Sequence, residues 1–270
     1  MIRIIYKKVP FLLAFCISLL TAAQNPVTNK DTIKNQVDKN GLKQGYWITY
    51  YESGSTKYEG TFKNDKPIGT FTRYYPNRNV QSIMEFEEDG KTAFAKIFYN
   101  NGELAAEGSY NNRLKQGEWK YYSFYDRTLT HSENYEKGQK HGVSTVYYPN
   151  GKVSQTILFK NDEKDGVWAQ YFETGRLYLK GMFREGKLNG GYIQYHPNGI
   201  THIQGIYADD KRDGEWVLYD EKGEQVVKFD YVMGIAENQD ELDKIQEEFL
   251  KQLEKNIGKI KEPSISDIKF

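Results

Sequence analysis

Few groups in this chain could do bond-making chemistry, and their spacing argues against most of it. Four histidines, His131, His141, His196 and His202, have no cysteine or carboxylate partners at metal-ligand spacing, so they do not read as a zinc or catalytic set. No serine or cysteine sits in a nucleophile-elbow sequence, and no glycine-rich loop follows a strand and opens a helix as a phosphate cradle would. Three acidic groups, Glu87-Glu88-Asp89, Asp162-Glu163-Asp165 and Asp209-Asp210-Asp213, recur at equivalent positions and offer oxygen atoms to calcium. Lysines such as Lys63, Lys115, Lys140 and Lys164 share that edge and calcium-loop spacing is missing, so a solvated mixed-charge edge is the better reading. What remains is aromatic: 22 Tyr, 14 Phe and 4 Trp, whose ring faces suit recognition. The expectation is a non-enzymatic chain with no cofactor and no metal. Basic and acidic residues balance at 37 each, which gives no footprint for nucleic acid.

The aromatics are positioned by a repeat. From Gly45, steps of 24 residues reach Gly69, Ala93 and Gly117; one insertion moves the next to Gly142, and the steps resume at Gly166, Gly190 and Gly214. A period of this length marks an array of eight supersecondary units. Counted from each of these residues, offset 5 is always aromatic: Tyr50, Tyr74, Phe98, Tyr122, Tyr147, Tyr171, Tyr195 and Tyr219. Offset 2 holds all four tryptophans, Trp47, Trp119, Trp168 and Trp216, and a further aromatic closes each unit near offset 17. Turn residues recur at offsets 6 to 9, as in Pro149-Asn150-Gly151, and at offsets 19 to 21, as in Asn161-Asp162. Asn, Asp and Gly tolerate the positive φ of tight hairpin turns. The segments between are strand-length and rich in Tyr, Thr, Val and Phe. Each unit is therefore a hairpin, and the units together predict an all-β antiparallel meander over 37–235, with a half unit at its start turning at Asn40-Gly41.

Alternation puts offsets 11, 13, 15 and 17 on one face. Gly60, Gly108, Gly181 and Gly205 all occupy offset 15. Glycine weakens a strand unless something packs closely on it, so a neighbouring ring is expected there. Offsets 2 and 5 differ by three: either both faces carry aromatics, or a bulge changes the phase. The two rows, from Trp47 and Tyr50 to Trp216 and Tyr219, are the candidate binding face.

The pattern Gly-x-Trp-x-x-Tyr, then Asn-Gly, Glu-Gly-x-Phe and a turn, clearest in Gly45 to Phe62 and Gly166 to Phe183, resembles MORN repeats, in the bacterial variant often labelled an antitoxin component. The resemblance covers residues 41 to about 235. It implies an elongated, twisted antiparallel sheet serving as a lipid- or protein-contacting scaffold. The second unit departs from it, with Arg78 for the turn glycine and Met84 at offset 15; the fourth departs through its extra residue and Asp126.

The ends differ in kind. Residues 1–23 begin with Arg3, Lys7 and Lys8, continue through an apolar stretch from Val9 to Leu20, and end in Thr21-Ala22-Ala23 before Gln24. That is a secretory signal layout with cleavage near Ala23, too short to span a bilayer. It places the mature chain outside the cytoplasm, in periplasm, outer envelope or secreted, without a transmembrane segment. The only cysteine, Cys16, lies in this stretch. Residues 24–36 read as a polar linker. Leu242, Ile245, Phe249, Leu253, Ile257 and Ile260 recur at helical spacing, Asn238 and Glu241 fit a capping box, and Pro263 lies beyond. This predicts an amphipathic helix over 237–260 that caps the last hairpin, with 261–270 as a tail; a membrane-surface or partner-binding helix is the alternative. The expected function is an exported scaffold binding a protein or peptide in the cell envelope. The alternatives are a carbohydrate or lipid-headgroup binder using an exposed aromatic face and, through the resemblance, an antitoxin-like partner protein.

Overall fold

The structure is a computed structural model and describes residues 33–237, with isolated positions up to 251. The expected signal segment and residues 24–32 of the expected linker lie outside the described residues; Asn35 and Gln36, read as linker, instead bond to the first strand of the first hairpin. Most of the 237–260 stretch, including the apolar positions that define the expected helix, and the 261–270 tail also lie outside the described residues. No helix belongs to the described array, which is β throughout.

Twenty strands form one antiparallel sheet. The main strands are Lys43–Tyr50, Thr56–Lys63, Lys66–Tyr74, Val80–Phe86, Thr92–Phe98, Leu104–Asn111, Leu114–Tyr122, Leu129–Glu136, Gly142–Tyr147, Val153–Lys160, Glu163–Tyr171, Leu177–Arg184, Gly190–Tyr195, Thr201–Ala208, Lys211–Tyr219 and Gln225–Val232. Short pieces at Gln36–Val37, Gln139–Lys140, Lys187–Leu188 and Ile235–Ala236 complete it. Each strand pairs with its neighbours in sequence, as Gly45↔Phe62 and Gly166↔Phe183 do within units. The expected half unit is present: Val37 pairs with Lys43.

The turn chemistry explains the pairing. Asn64 and Asp65, Asn161 and Asp162, and Asp209 and Asp210 hold positive φ at both central positions, the conformation that twists with the strands it joins. Arg78 takes a φ of 75° where most units have glycine, so the second unit keeps its turn at some strain.

The register answers the question of faces. In every unit the hairpin register shifts between offsets 4 and 5, for example at Thr49/Tyr50 and Leu218/Tyr219. Thr49 faces Tyr58 and Tyr50 faces Thr56, so the extra residue lies on the second strand. The first strand keeps its alternation, and the two aromatic rows fall on opposite faces.

The hydrophobic core is the face of the offset-2 row. Trp119 and Trp216 are completely buried. Ala95 and Ala106 pack with Trp119; Val227, Phe229, Tyr231 and Ala236 pack with Trp216. Burying a ring removes about 150–250 Å² from water, roughly 4–6 kcal/mol as an upper bound, so stacked rings hold a thin sheet.

Candidate binding faces

On the indole face, the rings of Phe71, Trp119 and Trp216 each meet a glycine of the preceding unit, whereas Trp168 faces Ile157 there. A Cβ placed at Gly60 would lie 2.1 Å from the Phe71 ring, one at Gly108 2.4 Å from Trp119, and one at Gly205 2.2 Å from Trp216. The expected ring over offset 15 is therefore present, and it belongs to the next unit. The strands accommodate it by a bulge: pairing across Gly60 jumps from Glu59↔Thr72 to Thr61↔Ile68, with Gly69 at a φ of 62° taking up the bend. Between the second and third units the ring is replaced by Ala95 and the glycine by Met84, and those strands pair with no register shift. The buried indoles donate Nε1–H to the carbonyl after the glycine, Trp119 to Ser109 at 2.9 Å and Trp216 to Ile206 at 3.0 Å.

Cations close this face from the turn edge. Lys43 Nζ lies 4.7 Å from the Trp47 ring centre and 4.9 Å from that of Phe62. Lys115 sits over Trp119, Tyr121 and Tyr135, Lys140 over Phe159, Lys164 over Phe183, and Arg212 over Trp216 and Tyr231. Lys115, Lys140 and Lys164, which read from the sequence as part of a solvated edge, cover rings instead.

A polar cluster marks the insertion in the fourth unit. Glu133 accepts hydrogen bonds from Lys140 and from the Tyr135 hydroxyl, and Lys115 donates to the Tyr121 hydroxyl at 2.6 Å. Burial would raise the Glu133 pKa, but its bonds to Lys140 and Tyr135 hold it below the usual range. Burial chiefly, and then Glu133, pushes the Tyr135 hydroxyl up. His131 stacks on Tyr121 at 4.4 Å, and burial lowers its pKa. Every one of these charges is answered within the cluster, which makes it a structural network.

The opposite face carries the offset-5 row with carboxylates and amides. Tyr74 donates to Glu59 at 2.6 Å, Tyr122 to Glu107 at 2.7 Å, and Gln204 donates to the Tyr219 hydroxyl at 3.1 Å. Glu59 also accepts from Tyr46. Burial, reinforced by these glutamates, raises Tyr74 and Tyr122 to about 12. Tyr50 is 52% exposed, while Tyr74, Phe98, Tyr122, Tyr147, Tyr171, Tyr195 and Tyr219 are half-buried. The structure thus separates the twelve candidate residues. Trp119 and Trp216 are core, Trp47 and Trp168 are half-buried on the same side, and the offset-5 row shares its side with the exposed Phe94, Val143 and Val167.

A third row, at offset 6, escaped the sequence reading. Tyr51 donates to the Tyr74 carbonyl at 2.7 Å, Tyr75 to Phe98 at 2.9 Å, Tyr99 to Tyr122 at 2.8 Å and Tyr148 to Tyr171 at 2.7 Å. His196 Nε2 meets the Tyr219 carbonyl at 2.9 Å. Each of these contacts ties one hairpin to the next. Four aligned tyrosines directly after the offset-5 ring were the available signal.

The acidic turns have backbone partners. Asp65, Asp162 and Asp210 each accept an N–H bond at 2.7 Å, from Lys43, Lys140 and Leu188. Among the described residues no group of three His, Cys, Asp or Glu is placed to hold a metal.

Comparison with known proteins bears on the repeat itself. Among solved structures, TarM is similar over 35% of this chain and 20% of that chain, at 16% identity and a TM-score of 0.27. A second structure, of S. aureus TarM, is similar over 54% of this chain and 19% of that one, at 10% identity and a TM-score of 0.16. The Photorhabdus luminescens Tc holotoxin pore is similar over 70% of this chain and 13% of that one, at 16% identity and a TM-score of 0.17. The chain spans a fifth or less of the length of these structures, and likeness at such scores carries no functional argument. No curated protein matches the chain. The family model described as "MORN repeat variant" matches residues 43–64, 95–112 and 140–161; the first and third matches start at the ring-covering Lys43 and Lys140, and the second starts at Ala95. Three of its eight hairpins are thus matched as MORN repeats, and this chain carries that repeat.

Proposed function

We propose that this chain is an exported, non-enzymatic scaffold that binds a protein or peptide in the cell envelope, through the face opposite the indoles. The observation that carries the reading is the division of labour between faces. The indole face is consumed by the sheet's own packing and by covering cations. The opposite face presents Tyr50 at 52% exposure, near the Tyr46–Glu59–Tyr74 cluster, and Phe94 at 43%, across from Glu85. Exposed rings next to fixed carboxylates suit a partner that brings apolar and hydrogen-bonding groups together. The same pairing of ring and carboxylate also favours a second reading, a carbohydrate stacked on Tyr50 with its hydroxyls on Glu59. Export rests on the layout of residues 1–23, and a mature N-terminus at Gln24 in the envelope fraction is the expected mass. The stretch 237–260 is proposed as an amphipathic helix.

The test uses Tyr50→Ala and Phe94→Ala in the full chain, with Lys39→Ala in the exposed N-terminal turn as control. Capture of one defined envelope protein, lost in both variants and retained in the control, is the expected result. Capture unchanged by both variants sinks this face as the binding surface. Glycan binding lost in the same variants, with no protein captured, moves the assignment to the second reading.

A further inference from the structure

Further along the same face, the character of the cross-strand pairs changes. Offset 1 pairs with offset 16 in each unit. In the second, third and fourth units these pairs are Thr70↔Glu85, Phe94↔Ser109 and Glu118↔Asn134. In the fifth to seventh they are Val143↔Leu158, Val167↔Met182 and Gly191↔Ile206. In the eighth the pair is polar again, Glu215↔Asp230. The pairs stand side by side, because the Leu158 side chain lies over Gly166 and Met182 over Gly190. Val143, Leu158, Val167, Met182 and Ile206 are 37–53% exposed. At Gly191 nothing lies within 4 Å of where a Cβ would be. An open cavity of about 460 Å³ surrounds that point, lined by Lys180, Met182, Ile193, Gln204 and Ile206. A bounded apolar stripe of this kind is a docking surface.

We infer that the occupant is this chain's own segment 242–260, folded as an amphipathic helix and laid across the strands of the fifth to seventh units. Three observations select it. The first is length. From Ile206 to Leu158 the stripe crosses four strand spacings, about 19 Å; from Ile245 to Ile257 a helix rises about 18 Å. The second is position. The last short strand, Ile235–Ala236, and Glu237 after it lie three strands beyond the strand of Ile206. A helix starting there brings Ile245 to Ile206, Phe249 to the opening at Gly191 and Leu253 to Met182. The positions described in that stretch, Asp240, Asp243, Lys244, Glu247, Leu250 and Lys251, are all exposed, Leu250 at 49%, and Lys251 pairs with Glu247 at 3.6 Å; they form the outward side of such a helix. The third is size. Five part-exposed side chains fall well short of the roughly 800 Å² per partner of a standard interface between separate molecules, whereas a tethered segment docks at a high effective concentration. The inference goes beyond the proposed partner binding, which uses Tyr50 and Phe94 in the first three units.

Hydrogen exchange on the full chain tests it, comparing wild type with Met182→Glu and with Phe249→Ala. The expected result is slowed exchange over 242–260 in wild type, falling by about tenfold or more in both variants, since an isolated helix of this length is marginal in water. Unchanged exchange in the strands confirms that the variants fold; Ile206→Lys replaces Met182→Glu if that variant does not. Absence of slowed exchange in wild type overturns the inference. So does slowed exchange that survives Met182→Glu and Ile206→Lys, which places the segment elsewhere, such as the last edge strand. Slowing that disappears on dilution, with sedimentation as a dimer, assigns the stripe to a second copy and also overturns it. None of these outcomes touches the Tyr50 and Phe94 capture assay, so the two proposals fail separately.

Discussion

Replacing Gly108 by alanine should destabilise the array, whereas the same change at Gly181 should be nearly neutral. At Gly108 the new methyl would stand 2.4 Å from Cδ2 of Trp119 and 2.5 Å from Cε2 and Cγ, about 1 Å inside ordinary carbon–carbon contact. The indole is completely buried and anchored by its 2.9 Å bond to the Ser109 carbonyl, so it retreats only by breaking that bond and displacing Tyr110 and Tyr121, which pack against it. The lost hydrogen bond costs about 1 kcal/mol and the forced repacking about 1–3 kcal/mol. Restricting the unfolded chain returns about 0.4–1 kcal/mol, because Gly108 is not at positive φ. The net loss is about 2 kcal/mol. At Gly181 the nearest ring atom, Cε3 of Trp168, is 3.3 Å away, so the gain from chain restriction roughly cancels a small adjustment, within about 0.5 kcal/mol either way. Urea unfolding followed by tryptophan fluorescence, with hydrogen exchange of the third and fourth units, reads the difference. Equal midpoints for the two variants would refute the idea that indole contact selects glycine at this offset.

Three further outcomes follow from the same geometry. Tyr75→Phe removes a 2.9 Å bond to the Phe98 carbonyl and should cost about 1 kcal/mol, with exchange rising at the seam between the second and third units. Asp210→Ala strands the Leu188 N–H at a cost of about 1 kcal/mol, and calorimetric titration with calcium should give no binding heat in either protein. His131 and His202 have pKa values lowered by burial, His202 also by His196. The unfolded chain then binds more protons than the folded one as pH falls below the ordinary histidine value near 6.5, so melting at pH 5.5 should lie below that at pH 7.5. The double variant His131→Gln, His202→Gln should lose most of that dependence; an unchanged pH profile would count against it.

The period, the hairpins and the glycine–ring contact were legible because each rests on residue types with one dominant structural use. Asn-Asp and Asn-Gly make turns, and a recurrent strand glycine implies a close neighbour. Which face held the core was not legible, since a bulge on either strand satisfies the same spacing; only the register at Thr49/Tyr50 and its equivalents decides it. The cations over the indoles were missed for a related reason. A lysine beside a turn reads as solvated, and nothing in its type tells that Lys115 folds back over three rings. Two candidates, Trp119 and Trp216, looked like binding residues because tryptophan is at home in both roles; their full burial assigns them to the core.

The ladder of offset-6 hydroxyls has two gaps, and their location has a mechanical consequence. Among the seven units followed by another, the fourth offers Ser123 and the sixth Phe172 where the rest place a tyrosine or His196. At these same two seams the following strand is broken, into Gln139–Lys140 and Gly142–Tyr147, and into Lys187–Leu188 and Gly190–Tyr195. Because each hairpin holds only its neighbours, tension along the chain is borne in series and yields first at the least-bonded joint. The array is thus divided into three blocks of four, two and two hairpins. A pull on its ends separates these blocks as units before any hairpin within them opens.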